Sequence, residues 1–213
     1  MPLRSCSRRH PSLSSIAPTR RVVSRWTLVA LLIVLGLASP ARADAADDRR
    51  ALVMLRVLAY DNHLGARAGD EVRIVIVFPS GDGGAAERAR WTSAFANARK
   101  LKVAGRPVVV STHKFETASV LDRALTDAHA AAVLVCEGLA RTIALDDLAA
   151  LTRAHKVLSF STREPEVVKG LAVGIVPGTS RDEIVVNLRA AAAEGAKFDA
   201  GLLQLARTVE APP

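Results

Sequence analysis

Aromatic side chains are scarce in this chain, with five Phe, two Trp and one Tyr among 213 residues. So few flat rings leave little material for a base-stacking platform that would grip single-stranded nucleic acid. Cysteine is scarcer still, since Cys6 and Cys136 are the whole supply and form no Cys-x-x-Cys motif. Acidic residues are missing altogether before Asp44, whereas seven arginines stand there. The apolar run from Thr27 to Ala38 is short against the roughly 20 residues of a bilayer-spanning helix.

Together these features have the layout of an export signal over residues 1–43. A basic region from Arg4 to Arg25 precedes the apolar run, and Ala41-Arg42-Ala43 supplies a small-x-small cleavage pattern before Asp44. The competing reading is an uncleaved anchor, which the short run disfavours. Arg20-Arg21 leaves both general and twin-arginine export open, and no cysteine follows the run to carry a lipid. The expectation is an exported, periplasmic protein whose mature part, residues 44–213, is a single domain.

Without the leader, 22 of the 29 Lys and Arg residues remain against 21 Asp and Glu. The mature part is near neutral, so the overall basicity belongs to targeting and implies no nucleic-acid surface. Cys6 leaves with the leader. Cys136 closes the apolar run Ala131-Ala132-Val133-Leu134-Val135 and is read as a packed, inert thiol.

Short β-branched runs alternate with amphipathic stretches through the rest of the chain. Val72 to Phe78, Pro107 to Thr112, Ala131 to Cys136, Val157 to Phe160 and Leu171 to Val176 are read as central strands. Trp91, Ala94, Phe95, Ala98 and Leu101 recur at helical spacing, as do Ala118, Leu121, Leu125 and Ala128, then Leu145, Leu148, Ala149 and Thr152. Strands apolar on both faces, joined through helices, predict an α/β three-layer sandwich with a mainly parallel central sheet and helices on both faces.

The first mature helix, Ala51 to Tyr60, carries Arg56 as its one charge and is apolar nearly all round. Such a helix needs cover on a second side. Leu202, Leu203, Leu205, Ala206 and Val209, read as a C-terminal helix capped by Asp199, are one source of cover; a second copy or a partner is the other. Val53, Arg56, Val57 and Tyr60 are the candidate partner-binding residues.

Ligands of open parallel sheets bind beyond the carboxyl ends of the strands. There the sequence offers Ser80, Lys114, Glu137 and Arg163, candidates for a crevice that holds a small solute. The glycine loop Gly81-Asp82-Gly83-Gly84 fits neither G-x-G-x-x-G nor a Gly-Lys-Ser/Thr ending. His63, His113, His129 and His155 show no metal-ligand spacing, and no G-x-S-x-G elbow presents a nucleophile. Asp146-Asp147 suits the start of a helix, where carboxylates meet the positive end of the dipole. No catalytic residue, metal or cofactor is expected.

The last quarter of the chain is its most specific text. Asn187, Leu188, Gly195, Lys197, Leu202, Leu203, Leu205, Ala206, Arg207 and Val209, in this order, resemble the C-terminal signature of the YfiR/HmsC family of periplasmic proteins. An apolar helix just after the signal peptide is also similar to that family. The resemblance implies an α/β periplasmic protein that self-associates as a homodimer. It further implies restraint of an inner-membrane signalling protein, a diguanylate cyclase, by contact with its periplasmic part, with cyclic di-GMP and biofilm control as the output. On this reading the membrane is met only through the partner. Two departures stand out: the internal disulfides of the namesake have no counterpart here, and Tyr60-Asp61-Asn62-His63 replaces its usual Trp and Phe after the first helix.

Overall fold

A computed structural model gives the fold over residues 40–98 and 100–210. The expected leader, up to residue 39, and Cys6 with it lie outside the described residues. The chain runs through α1 (Pro40–Ala59), α2 (Leu64–Ala68), β1 (Val72–Phe78), α3 (Asp82–Ala98), β2 (Lys102–Val103) and β3 (Arg106–Lys114). It continues as α4 (Ala118–Ala128), β4 (Ala132–Val135), α5 (Leu145–His155), β5 (Leu158–Ser161), α6 (Glu164–Val168) and β6 (Val173–Val176). The last elements are β7 (Glu183–Asn187), α7 (Leu188–Ala193), α8 (Ala200–Leu205) and β8 (Ala206–Val209).

All these strands join one sheet in the order β2-β3-β1-β4-β5-β6-β7-β8. β3, β1, β4, β5 and β6 are parallel. β2 and β7 run antiparallel to β3 and β6, and β8 lies parallel to β7. The sheet is therefore mainly parallel, as expected.

β1 shows why the layers form. Its even positions Ile74, Ile76 and Phe78 enter a core with Met54, Leu55 and Leu58 of α1 and Trp91 and Phe95 of α3. Its odd positions Val75 and Val77 enter a second core with Leu121 and Leu125 of α4 and Leu148 of α5. The pleat sends alternate side chains to opposite faces, so a strand apolar throughout needs helices on both.

Cover for α1 comes from within the chain, through α3 and through Leu202 of α8. Four expectations need correction. α1 begins at Pro40 rather than Ala51 and ends at Ala59. The C-terminal helix stops at Leu205, and Ala206 to Val209 pair with β7 as a strand, because that edge still had free backbone groups to satisfy. Leu101 lies beyond the end of α3 and is 49% exposed. β3 is not a central strand, because among the described residues the only strand outside it is the two-residue β2.

Polar anchors fix the ends. The Asn187 side chain accepts from Ala190 N at 3.0 Å and donates to the Val167 carbonyl at 3.0 Å, while Gly195 takes a left-handed φ of 83° after α7. Asp199 caps α8 through Leu202 N at 3.0 Å. Asp61 is buried and pairs with Arg67, and it also accepts from His63 N at 3.0 Å and Lys197 N at 2.8 Å. Arg67 in turn donates to the carbonyls of Ala131 at 2.8 Å and Lys156 at 3.1 Å. The segment that departs from the family's aromatic pattern is thus a buried ion pair joining the α1–α2 corner to the sheet and the C-terminal segment.

Glu194 is fully buried and accepts from Thr152 Oγ1 at 2.6 Å, Ser159 Oγ at 2.7 Å and Ser159 N at 2.8 Å. Burial pushes its pKa up to about 7 from 4.5, against the pull of those hydrogen bonds. A raised carboxyl pKa means that the folded state holds the proton longer than the unfolded chain. Its stabilisation is complete below the unfolded value and is lost as pH rises through the folded one. Over that window wild type is expected to lose on the order of 3 kcal/mol more than Glu194→Gln. Urea unfolding at pH 5 and pH 8 measures this, and equal losses in the two proteins contradict it.

Candidate functional site at the carboxyl ends of the strands

After β1 the chain moves to β3 on one side and then to β4 on the other, so the strand order reverses between β1 and β4. This is the place where open α/β sheets hold ligands. Here the protein fills it with its own groups. Gly84, in the first turn of α3, lies so near the preceding loop that a Cβ would sit 1.7 Å from the Pro79 oxygen. A Cβ on Gly138, after β4, would stand 3.7 Å from Pro79 Cγ, so the two loops nearly touch.

The four crevice candidates do not converge on one point. Glu137 and Arg163 meet in an ion pair at 2.8 Å. Ser80 donates to the Phe115 carbonyl at 3.2 Å, and Lys114 pairs with Glu116 at 2.9 Å. The Arg163 end continues into a buried cluster, where Ser161 Oγ donates to Glu166 at 2.5 Å and accepts from Arg163 N at 2.9 Å. Burial raises the Glu166 pKa, with the Ser161 bond and the Arg163 charge opposing it.

Residues that sequence reasoning did not single out extend this network to α1. Glu87 of α3 accepts from Glu137 N at 3.3 Å and from Arg90 at 3.0 Å. Arg90 reaches Asp47 at 3.2 Å, Asp47 meets Arg50 at 3.2 Å, and Arg50 reaches Asp182 before β7 at 3.1 Å. Burial raises the Glu87 pKa while Arg90 lowers it. The sequence signal was the helical i, i+3 spacing of Asp47 with Arg50 and of Glu87 with Arg90. Such pairs usually mark solvated faces, and only the fold turns these two toward each other.

Cys136 lies buried at the end of β4, and burial together with the Glu87 carboxylate pushes its thiol pKa up. It holds its proton and is a poor nucleophile. His155 bonds Asp122 at 2.6 Å and His63 contacts the Gly195 carbonyl at 3.3 Å. Among the described residues no group of three or more His, Cys, Asp or Glu is placed to hold a metal ion.

The candidate partner-binding row divides. Arg56 is exposed, Val53 and Tyr60 are half-buried against the core, and Val57 is fully buried. Val57 therefore belongs to the packing of α1 on the sheet and not to an outward face, a correction that follows from the cover α3 supplies. Beside the Arg163 cluster lies a cavity of about 150 Å³ lined by Arg141, Arg163, Glu166 and Lys169. A larger hollow of about 580 Å³ runs from the β6–β7 turn to the α8–β8 junction, and none of the candidate residues lines it. No helix among the described residues is long and apolar enough to cross a membrane.

A sequence profile described as YfiR/HmsC-like matches residues 65–207. No curated protein matches the chain. One solved structure that is similar is the ligand-free, open form of a substrate-binding protein with adhesive properties from Clostridium difficile. It is 11% identical with TM-score 0.50, over 70% of this chain and 58% of that one. An ABC domain in complex with L-Trp from Streptococcus pneumonia is 11% identical with TM-score 0.50, over 72% and 62%. A conserved domain protein from Vibrio cholerae O1 biovar El Tor is 11% identical with TM-score 0.53, over 76% and 59%. The chain spans about three fifths of the length of these proteins, and the likeness concerns the fold alone.

The charge network makes an energetic prediction. Asp47 has 3% of its side chain exposed and Glu137 has 53%. Removing a buried partner strands the charges facing it, whereas an exposed pair contributes little. Asp47→Ala is expected to cost about 2–3 kcal/mol and Glu137→Ala less than about 1 kcal/mol. Denaturant unfolding checks both, and equal costs contradict the assignment.

Proposed function

The chain belongs to the YfiR/HmsC-like family, and from that premise we propose that it is a periplasmic regulator acting by contact on an inner-membrane signalling protein, in particular a diguanylate cyclase. At family level the membership supports regulation of cyclic di-GMP signalling in the periplasm by a non-enzymatic protein. The match over residues 65–207 is the observation that carries this reading. The matched segment begins after α1, within α2.

Contact regulation needs a surface with different affinity for two states of the partner. The exposed side of α1 at Arg56, flanked by half-buried Val53 and Tyr60, is the candidate. Val57 supports it from beneath by holding the helix on the core. A basic group amid apolar neighbours suits an acidic or mixed patch on the partner's periplasmic part.

A second reading, a small-solute sensor, draws on the cavity beside Arg141, Arg163 and Lys169. Its volume of about 150 Å³ falls below the roughly 300 Å³ where drug-sized ligand pockets begin, which limits it to a small anion. The closed loops at Pro79 and Gly138 further favour the contact reading. Thermal shifts with organic anions test the sensor: a ligand at a hundredfold excess over its Kd adds about 2.7 kcal/mol to the folded state.

For the contact reading, deleting the gene is expected to raise cellular cyclic di-GMP and biofilm, and wild type supplied in trans to restore both. Arg56→Glu, at an exposed position, is expected to change stability by no more than about 0.5 kcal/mol yet to fail to restore. Full restoration by a folded Arg56→Glu protein contradicts the assignment of α1, and an unchanged cyclic di-GMP level on deletion contradicts the reading itself.

A further inference from the structure

Two cations beyond the ends of β4 and β5 stand outside the ion-pair network. After β4 the chain makes a short 3₁₀ turn, Leu139–Arg141. Leu139 is fully buried, which anchors the turn and leaves Arg141 exposed at its end. After β5, buried Val167 holds α6 on the sheet, and Lys169 follows the last residue of that helix. Arg141, Arg163 and Lys169 line the same cavity of about 150 Å³. The side chains of Arg141 and Lys169 have no ion-pair or hydrogen-bond partner among the described residues.

Glu166 also lines this cavity, with only 6% of its side chain exposed. Its Oε2 accepts from Ser161 Oγ at 2.5 Å. Its Oε1 accepts no hydrogen bond among the described residues, has Arg163 Nε at 3.9 Å, and is not sealed away from open space. A largely desolvated acceptor without a donor is costly, so a ligand that brings a donor is favoured there. Three cations against one carboxylate leave two positive charges, which a dianion balances. An oxyanion without a proton sets its own lone pairs against Oε1. One that keeps a proton donates it to Oε1.

We propose that the cavity is a binding site for hydrogen phosphate, held by Arg141, Arg163 and Lys169, with Glu166 accepting the hydrogen bond from the P–OH group. A water molecule takes about 30 Å³ in the liquid, so the cavity has room for an ion of five heavy atoms. Guanidinium forks match pairs of phosphate oxygens, and the lysine adds a point charge. Arg163 can turn from Glu137 at little cost, because both side chains of that pair are about half exposed. Sulfate has the same shape and charge but no proton, and the dianion of a phosphomonoester lacks it too. A site that commits a buried group to a ligand's hydroxyl rejects the analogue without one. The inference rests on the small-anion reading of this cavity and not on the contact reading.

The test is isothermal titration calorimetry of the purified protein with inorganic phosphate, sulfate and methyl phosphate. Burial raises the Glu166 pKa, so the comparison is made at pH 8, where phosphate keeps one proton and the other two anions keep none. Wild type is expected to bind phosphate at least about tenfold more tightly than either. Arg141→Gln and Lys169→Gln, at exposed positions, are expected to weaken phosphate binding about tenfold each with an unchanged Tm. Glu166→Gln, whose amide donates to any of the three anions, is expected to bring their affinities together. No binding of phosphate or sulfate at millimolar concentration overturns the small-anion reading and the proposal together. Equal affinity of wild type for phosphate and sulfate, tighter binding of methyl phosphate, or a preference that survives Glu166→Gln overturns the proposal and leaves the small-anion reading standing.

Discussion

The burial of α1 against α3 and the central sheet is the interaction on which the other features depend. Ala51, Met54, Leu55, Val57 and Leu58 are all buried on this helix, and each large apolar side chain contributes about 1.5–3 kcal/mol when taken from water. Their partners are the even positions of β1 together with Trp91 and Phe95. Without α1 part of that side of the sheet would be open, and α3 would lose one of the surfaces it packs on. The same burial restricts what α1 offers to a partner, since only its outer side around Arg56 remains available.

Electrostatics completes what packing begins. Asp47 and Arg50 carry α1 into the network that runs through Arg90 and Glu87 to Glu137 and Arg163. In this fold family the corresponding region is commonly where a ligand sits; here ion pairs and close loops occupy it. An open, mainly parallel α/β sheet is thus combined with close loops at its switch point. Any movement of α1 would separate Asp47 from Arg90 and Arg50 from Asp182, which couples the helix to the strand ends by a defined set of contacts.

The core strands and helices were legible in the sequence because their periodicity coincides with burial: β1 spans Val72–Phe78 as read, and Trp91, Phe95, Leu121 and Leu148 are core residues. β8 was not legible, since Leu202 to Val209 keeps helical spacing of leucines while its last residues pair with β7. β3 looked central because Val108 to Val110 is apolar, yet only Val108 and Val110 pack on the core and Val109 is 40% exposed. Of the candidate site residues, Glu137 and Arg163 were brought together and Ser80 and Lys114 were not. Asp47, Glu87 and Arg90 were missed because a local helical charge pair carries no information about which distant helix it will face. The YfiR/HmsC resemblance of the final segment, by contrast, rested on residues that include Asn187 and Gly195, whose capping and turn roles are local and therefore readable.

The most direct test of contact regulation is site-specific photocrosslinking in living cells from position 56, with a control probe at exposed Arg123 of α4. Capture at position 56, and not at 123, of one inner-membrane protein bearing a cyclic di-GMP synthesis domain is the result predicted. Equal capture from both positions, or no membrane protein from either, would contradict the account.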